Sequence, residues 1–160
     1  MAVENKEVLG AVAVTENRGG DIVAFAGQFE KAAADSNGSI YRLFKVNKNM
    51  VPVRIDINCD AITGATDYDL GLYETVENGG AVKDKDVFMA SANLSAGKAI
   101  GSEQNGLASL TVGNVGKQVY VLAGETGDTG SSEYDVALTA DTAGTGAGTI
   151  AVRAIFAKTA

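Results

Sequence analysis

The segment Val51–Glu74 constrains the fold of this chain most, because its sequence shows the periodicity of a β-strand twice. Apolar and polar residues alternate from Val53 to Asp60, and the alternation resumes from Asp67 to Leu72. A period of two places one row of side chains in a core and the other row in solvent, as in a half-buried sheet. Residues 63–65, Thr-Gly-Ala, break the pattern. The segment therefore predicts the two strands of a hairpin, at 51–60 and 67–74, joined by a turn.

Other β-type segments recur along the chain at the spacing that is typical of a β-sandwich. A strand at 21–26 runs into a partly helical segment as far as Ala34, and the remaining predicted strands lie at 39–46, 85–94, 106–112, 117–125, 133–141 and 148–157. The total is roughly eight or nine strands, with no βαβ alternation. We therefore predict an all-β fold, an antiparallel β-sandwich of jelly-roll type, with an immunoglobulin-like sandwich as the alternative. The order of the strands stays open.

The first twenty residues differ from the rest of the chain. With 160 residues the chain has the length of one domain, and we divide it into an extended N-terminal arm at 1–20 and a single β-sandwich domain at 21–160. The apolar side chains of the arm need a surface to pack on, either on the arm's own domain or on a neighbour. The residues that we predict to make this contact are Val8, Leu9, Val12 and Val14.

Composition and charge exclude several classes of function. The formal net charge is -7, and the 13 Lys and Arg residues are scattered along the chain, so nucleic acid is not an expected partner. No apolar run approaches the roughly 18 residues that span a membrane. The N-terminus lacks the positive charge of a signal peptide. We therefore expect synthesis in the cytoplasm, with no membrane partner.

The chain lacks the residues that most catalytic sites need. It has no histidine, which removes the commonest general base and the commonest zinc ligand. Its one cysteine, Cys59, lies on the apolar face of its strand and is interpreted as a buried small hydrophobe. We predict that the protein is not an enzyme, with no catalytic residue, no metal and no cofactor.

Carboxylate pairs are the remaining candidates for chemistry. Asp67 and Asp69 share one face of a strand, so they could serve a glycosidase or a calcium site. The favoured interpretation is that both are solvated on the outer face. Asp84 and Asp86 belong to a Lys-Asp-Lys-Asp run that is interpreted as a charge-balanced turn, and the pair Asp56 and Asp60 has no further support.

Glycines and aromatic residues receive structural interpretations too. The Gly-rich segment at 142–149 lacks the helix, lysine and hydroxyl of a phosphate loop, so a hairpin connection is favoured. Tyr73 is the one aromatic side chain that we expect to be exposed. Six others fall inside strand patterns and are predicted to lie in the core: Tyr41, Phe44, Phe88, Tyr120, Tyr134 and Phe156.

Three blocks of the sequence resemble a family of virion proteins. The blocks are SIYRLFKV at 39–46, VPVRIDINCDAITGATDYDLGLYE at 51–74 and VALTADTAGTGAGTIAVRAIFA at 136–157. They resemble the β-sandwich cement or decoration proteins on the outside of tailed-phage heads. The run TDYDLGLYE is also similar to strands of extracellular sugar-binding sandwiches.

The resemblance implies a non-enzymatic structural protein. Such a protein is made in the host cytoplasm, binds the major capsid protein on the capsid exterior, stabilises the head, and often forms a homotrimer or another homo-oligomer. The alternative is a carbohydrate- or calcium-binding β-sandwich module that is displayed on a virion or cell surface. Saturable glycan binding, or a melting temperature that rises with calcium, would favour the alternative.

Overall fold

The computed structural model describes residues 2–8, 13–14, 22–126 and 130–159, with the backbone alone at 13–14. Seven long strands and three short ones make up most of this part of the chain. They are β1 Asn5–Glu7, β2 Ala13–Val14, β3 Ile22–Lys31, β4 Ser39–Asn47, β5 Met50–Cys59, β6 Asp67–Glu74, β7 Val82–Ala92, β8 Gln104–Asn105, β9 Glu133–Thr142 and β10 Gly148–Lys158. One short helix, α1, spans Val119–Leu122, and 3₁₀ turns lie at Val76–Asn78 and Val112–Asn114.

The strands form two five-stranded sheets. Sheet A has the order β1-β4-β9-β6-β7, and sheet B has the order β2-β3-β10-β5-β8. The pairings are antiparallel except that of β1 with β4. This arrangement confirms the predicted all-β sandwich. Without β1 and β2, the orders β4-β9-β6-β7 and β3-β10-β5-β8 match those of two interlocked Greek keys, as in the jelly-roll type.

Two predicted hairpins are wrong, because their strands lie in opposite sheets. β5 belongs to sheet B and β6 to sheet A, and β9 and β10 are divided in the same way. Each connection therefore crosses from one sheet to the other. Periodicity identified the strands but could not distinguish a turn within a sheet from a crossover between sheets.

The two crossovers pack against each other at one end of the sandwich. The amide of Thr145 donates to the carbonyl of Thr63 at 2.9 Å. Gly144 has a φ of +73°, and a Cβ there would lie 2.3 Å from the Thr63 carbonyl oxygen, so glycine is required. The buried Lys31 Nζ donates to the carbonyls of Gly144 and Gly146 at 3.0 and 2.9 Å. These bonds fasten the end of β3 to the second crossover.

Apolar side chains from both sheets fill the space between them. Phe25 stacks on Phe44 with ring centroids 4.4 Å apart, and Phe156 meets both rings edge-on at 6.0 Å. Of the six aromatic residues predicted to lie in the core, Tyr120 is only partly buried, and five are buried: Tyr41, Phe44, Phe88, Tyr134 and Phe156.

The alternation in β5 contains a bulge that the sequence pattern did not reveal. Ile155 pairs with Arg54, but Phe156 pairs with Pro52, so Val53 is an extra residue on β5. Pro52 is buried, whereas Val53 is 56% exposed. The prediction that Val53 shares the apolar face with Ile55 and Ile57 is therefore wrong. The bulge turns Val53 to the outside of sheet B.

Four other local predictions are corrected. The predicted strand at 106–112 is instead a turn that leads into the 3₁₀ turn at Val112–Asn114. No partly helical segment follows residue 26, because β3 continues to Lys31 and pairs with β10 over its whole length. The predicted strand at 117–125 contains helix α1, which buries Val119 and Leu122 one turn apart. The predicted turn at Asp84 and Asp86 lies within β7. Tertiary packing decides each of these segments against its local propensity.

Candidate interaction surfaces

The described parts of the N-terminal arm are attached to the chain's own sandwich. β1 adds a parallel strand to β4, and β2 pairs with β3 at the edge of the other sheet. Val8 is half-buried against the core, and its amide donates to the carbonyl of Arg42 at 2.9 Å. Leu9 and Val12 lie outside the described residues, as does the side chain of Val14. A capsid contact through these four residues stays a prediction.

The outer face of sheet A, the side directed away from the core, carries a buried ion pair. Arg42 Nη1 lies 2.7 Å from Asp135 Oδ2, and each side chain is only 2% exposed. The guanidinium also donates to the carbonyls of Glu74 and Gly80, both at 2.8 Å, and to Asn5 Oδ1 at 3.0 Å. Burial raises the pKa of Asp135, and the hydrogen bond from Arg42 opposes part of that rise. One side chain thus ties β1, β6 and β9 together.

Strand β7 closes another part of this face. The register shifts between the pairs Leu70–Met89 and Leu72–Asp84. Within this interval, β7 has three more residues than β6. The extra residues pass directly over Gly71, where a Cβ would lie 2.0 Å from the Asp84 carbonyl oxygen. Glycine is therefore required because another backbone occupies the position of a side chain.

Two further predictions about the outer face of sheet A are wrong. Tyr73 is 3% exposed instead of solvated, and its hydroxyl lies 2.6 Å from Thr139 Oγ1. Asp69 is 4% exposed, and its Oδ1 accepts the amide of Ser91 at 2.8 Å. The pattern placed both side chains on the outer face correctly, but it could not show that β7 and the long side chains cover that face.

Three carboxylates meet on this face, and two of them are Asp67 and Asp69, the pair considered for calcium. Oxygens of Asp67, Asp69 and Asp141 all lie within 4.8 Å of one another. The ammonium of Lys85 lies 3.0 Å from Asp69 and forms a second ion pair with Asp141. These two carboxylates raise the pKa of Lys85, which keeps it protonated. A cation of the chain itself thus pairs with two of the three carboxylates and balances one of the three negative charges.

The outer face of sheet B has a different composition. Its side chains form rows that run across β3, β10 and β5. Successive rows along the strands change from apolar to polar in composition. The rows are Ile22–Ala157–Val51, Ala24–Ile155–Arg54, Ala26–Arg153–Asp56 and Gln28–Ala151–Asn58. Every one of these residues is exposed or half-buried. No described segment covers this face as β7 covers sheet A.

A shallow depression of about 350 Å³ lies in the middle of this face. It exists because Ala24 and Ala26 leave space beside the larger Ile155. Arg54 and Arg153 flank it, with side chains that are 63% and 51% exposed. Each arginine is paired with a carboxylate, Arg54 with Asp56 at 2.7 Å and Arg153 with Glu103 at 2.8 Å. The depression is thus apolar at its base and charged at its rim.

The edges of both sheets are protected against further strand pairing. β1 and β2 pair along parts of the outer edges of β4 and β3. β8 pairs with Asp56 and Ile57 on β5, and the nearby Pro52 has no amide hydrogen to donate. β7 has four consecutive charged residues at 83–86. Short, charged or proline-containing edges discourage the addition of strands from another chain, so contacts through faces are favoured.

The remaining candidate residues have structural roles in the described part of the chain. Burial raises the pKa of the Cys59 thiol, so it is not activated as a nucleophile. Asp35 accepts hydrogen bonds from Tyr41 at 2.8 Å and Lys6 at 3.1 Å. Burial alone would raise the pKa of Asp35, but these bonds hold it below its ordinary value.

The longest described helix has four residues, too few to cross a membrane.

Two solved structures that are similar to this chain come from phage capsids. A chain in the capsid of Ralstonia phage GP4 matches with a TM-score of 0.64 over 99% of both chains, at 15% identity. A chain in the capsid asymmetric unit of cyanophage Pam1 matches with a TM-score of 0.52 over 92% of this chain and 93% of that one, at 11% identity. The sequence matches no protein-family profile and no curated protein. The chain therefore has a fold that occurs in the capsids of two phages.

Proposed function

We propose that this chain is a non-enzymatic structural protein of a phage virion, which binds the outer surface of the capsid as a cement or decoration protein and stabilises the head. The match over 99% of both chains to a component of the GP4 capsid supports this most. The correspondence extends through the whole sandwich and is not limited to a common core motif.

The surface chemistry also supports a structural role. The chain has no histidine, and two of the three carboxylates in the cluster of sheet A are paired with Lys85. The outer face of sheet B is a broad and mostly uncharged surface, of the kind that suits contact with another protein. The partner that we propose is the major capsid protein, with the chain itself in a homotrimer or another homo-oligomer. It would be made in the host cytoplasm and located on the capsid exterior.

The contribution of the arm to capsid binding is proposed from the sequence. Val8 already packs on its own domain, so we assign most of the arm's contact to Leu9, Val12 and Val14. Deletion of residues 1–20 would also remove β1 and the bonds from Lys6 to Asp35 and from Arg42 to Asn5. Point variants therefore separate attachment from folding better than truncation does.

The test uses capsids of the encoding phage that were prepared without this protein. The purified chain should bind them to saturation and raise the temperature at which they rupture. Val12→Asp should weaken binding without a change in the melting temperature of the free chain, whereas the matched control Val112→Asp, at a 93% exposed loop position, should bind as the wild type does. Wild-type chain that does not bind would contradict the proposed function. Normal binding by Val12→Asp would contradict the arm's role alone.

A calcium- or carbohydrate-binding module is the second candidate. The observation that favours calcium is the Asp67–Asp69–Asp141 cluster, together with the absence of a hydrogen-bond partner for the buried Asp67 Oδ1. Lys85 already supplies a positive charge there, so we expect the melting temperature to be the same with calcium and with a chelator. A clear rise with calcium would favour the second candidate.

A further inference from the structure

We propose that the outer face of sheet B is a self-complementary interface, through which the chain binds a second copy of itself about a two-fold axis. The proposal deepens the proposed function, because it assigns the contact of the homo-oligomer to one surface. It rests on the proposed function for its biological setting. Its evidence is the shape, the charge and the accessibility of this face compared with the other surfaces of the described chain.

The shape of the face provides both halves of a symmetric contact. Each copy presents the same residues to the other in a two-fold interface, so any protrusion must meet a recess on the same surface. Val53 protrudes, since the bulge in β5 turns it outward. The depression at Ala24, Ala26 and Ile155 is the recess, and Arg54 at its rim is the neighbour of Val53 in the sequence. Valine is small enough to enter a recess of about 350 Å³.

The charge of the face allows two acidic chains to approach. Copies with a net charge of -7 repel each other in general. On this face, however, the charges are balanced within the pairs Arg54–Asp56 and Arg153–Glu103. The chain has four arginines; Arg42 is buried, Arg18 lies outside the described residues, and the other two flank the depression. Because basic and acidic side chains lie side by side on this face, the interface that we propose pairs guanidiniums of one copy with carboxylates of the other, which provides charge complementarity.

The outer face of sheet A and the sheet edges fit a second copy less well. The outer face of sheet A is closed by β7 and by internal ion pairs. The sheet edges are paired, charged or interrupted by proline. Arginine at the rim of an apolar recess is, in contrast, typical of interface centres.

The test is the mass of the isolated chain in solution, measured by sedimentation equilibrium over a range of concentrations. We expect the wild type to show a reversible equilibrium between one chain and two. Ala26→Arg fills the recess and adds a charge beside Arg153, and Val53→Glu places a carboxylate where an apolar side chain would enter the recess. Each should raise the dissociation constant at least about tenfold. Both sites are exposed, so the melting temperature of the monomer should not fall. If Ala26→Arg does not fold stably, the dissociation constant of Val53→Glu alone tests the proposed interface.

Val112→Arg is the matched control, because Val112 is an exposed apolar residue on a different surface. It should leave the dissociation constant unchanged. A wild type that stays monomeric at every concentration, or a dimer that both folded variants leave intact, would overturn the proposal. Neither result bears on whether the chain binds capsids, so failure of this interface and failure of the proposed function can be told apart.

Discussion

The outer faces of the two sheets differ although both belong to one sandwich. On sheet A, a buried arginine, a lysine among carboxylates and a crossing strand satisfy most of the polar groups from within the chain, with Asp67 Oδ1 as an exception. On sheet B, small apolar side chains and two exposed arginines have no covering segment among the described residues. A face that is closed internally contributes to the stability of the monomer, whereas an open face is available to a partner. Substitutions on sheet A should therefore change folding, and those on sheet B should change association.

The largest expected effect is that of Arg42→Met. The variant leaves the Asp135 carboxylate buried without its guanidinium and removes the donor to Glu74 and Gly80. We expect a loss of about 3–5 kcal/mol in the free energy of unfolding, measured by urea denaturation. The double variant Arg42→Met/Asp135→Leu should recover part of the loss, because no unpaired buried charge remains. A loss below about 1 kcal/mol for Arg42→Met would show that the face is not closed by this pair.

The same variant should show a changed dependence of stability on pH. Burial already raises the pKa of Asp135 in the wild type, and removal of Arg42 should raise it further above the unfolded value. The cost of the unpaired carboxylate is then present in full above the folded-state pKa and disappears as the pH falls below the unfolded-state pKa. The difference in the free energy of unfolding between Arg42→Met and the wild type should therefore become smaller at acidic pH. A difference that is constant from neutral to acidic pH would contradict this origin.

Gly71→Ala should have the next largest effect. A methyl group there would overlap the backbone of β7 at Asp84, so β7 must move away from sheet A. We expect a loss of about 1–3 kcal/mol or more in the free energy of unfolding. Gly113→Ala is the matched control, since a Cβ at Gly113 meets nothing closer than 3.9 Å, and it should be close to neutral. Equal stability of the two variants would mean that β7 does not cover this face.

Lys85→Met should have a smaller effect, because the lysine side chain is 41% exposed. Its removal leaves Asp67, Asp69 and Asp141 close together without a compensating charge. We expect a loss of about 1 kcal/mol in thermal or urea unfolding at neutral pH. Calcium should then raise the melting temperature of the variant more than that of the wild type. The same response in both proteins would contradict the role assigned to Lys85.

The smallest effect on stability is expected at Val53. Val53→Ser changes an exposed side chain on the open face of sheet B, so the free energy of unfolding of the monomer should change by less than about 0.5 kcal/mol. Urea denaturation, at a protein concentration where the chain is monomeric, measures this change in the free energy of unfolding. A loss comparable to that of Gly71→Ala would show that part of the chain covers Val53, and the contrast between the two faces would fail.

Much of the sandwich could be predicted from the sequence. The bounds predicted for β6 agree with the structure, and those for β4, β5, β9 and β10 differ by one or two residues at their ends, because period-two patterns on one buried face are a local signal. The sheet to which each strand belongs could not be predicted. The crossovers at 60–66 and 143–147 have the local sequence of turns, and that sequence does not distinguish a hairpin from a connection between sheets. The helix at Val119–Leu122 escaped prediction because β-branched residues favour strands when tertiary packing is unknown.

The candidate surfaces were much harder to predict than the fold. Alternation placed Asp69 and Tyr73 on an outer face, but their burial depends on β7, which is distant in the sequence. The bulge that exposes Val53 depends on the register between β5 and β10, which the pattern of β5 alone does not contain. The depression on sheet B needs Ala24, Arg54 and Arg153 from three strands. Only the strand order brings these residues together.

The central claim, that this chain is a structural protein on the capsid exterior, is tested most directly by electron cryo-microscopy of capsids to which the purified chain has been added. We expect saturable density for the β-sandwich at symmetry-related positions outside the shell, and this density should be absent from untreated capsids. Capsids that show no added density at a saturating concentration of folded chain, or density for this sandwich only inside the shell, would contradict the claim.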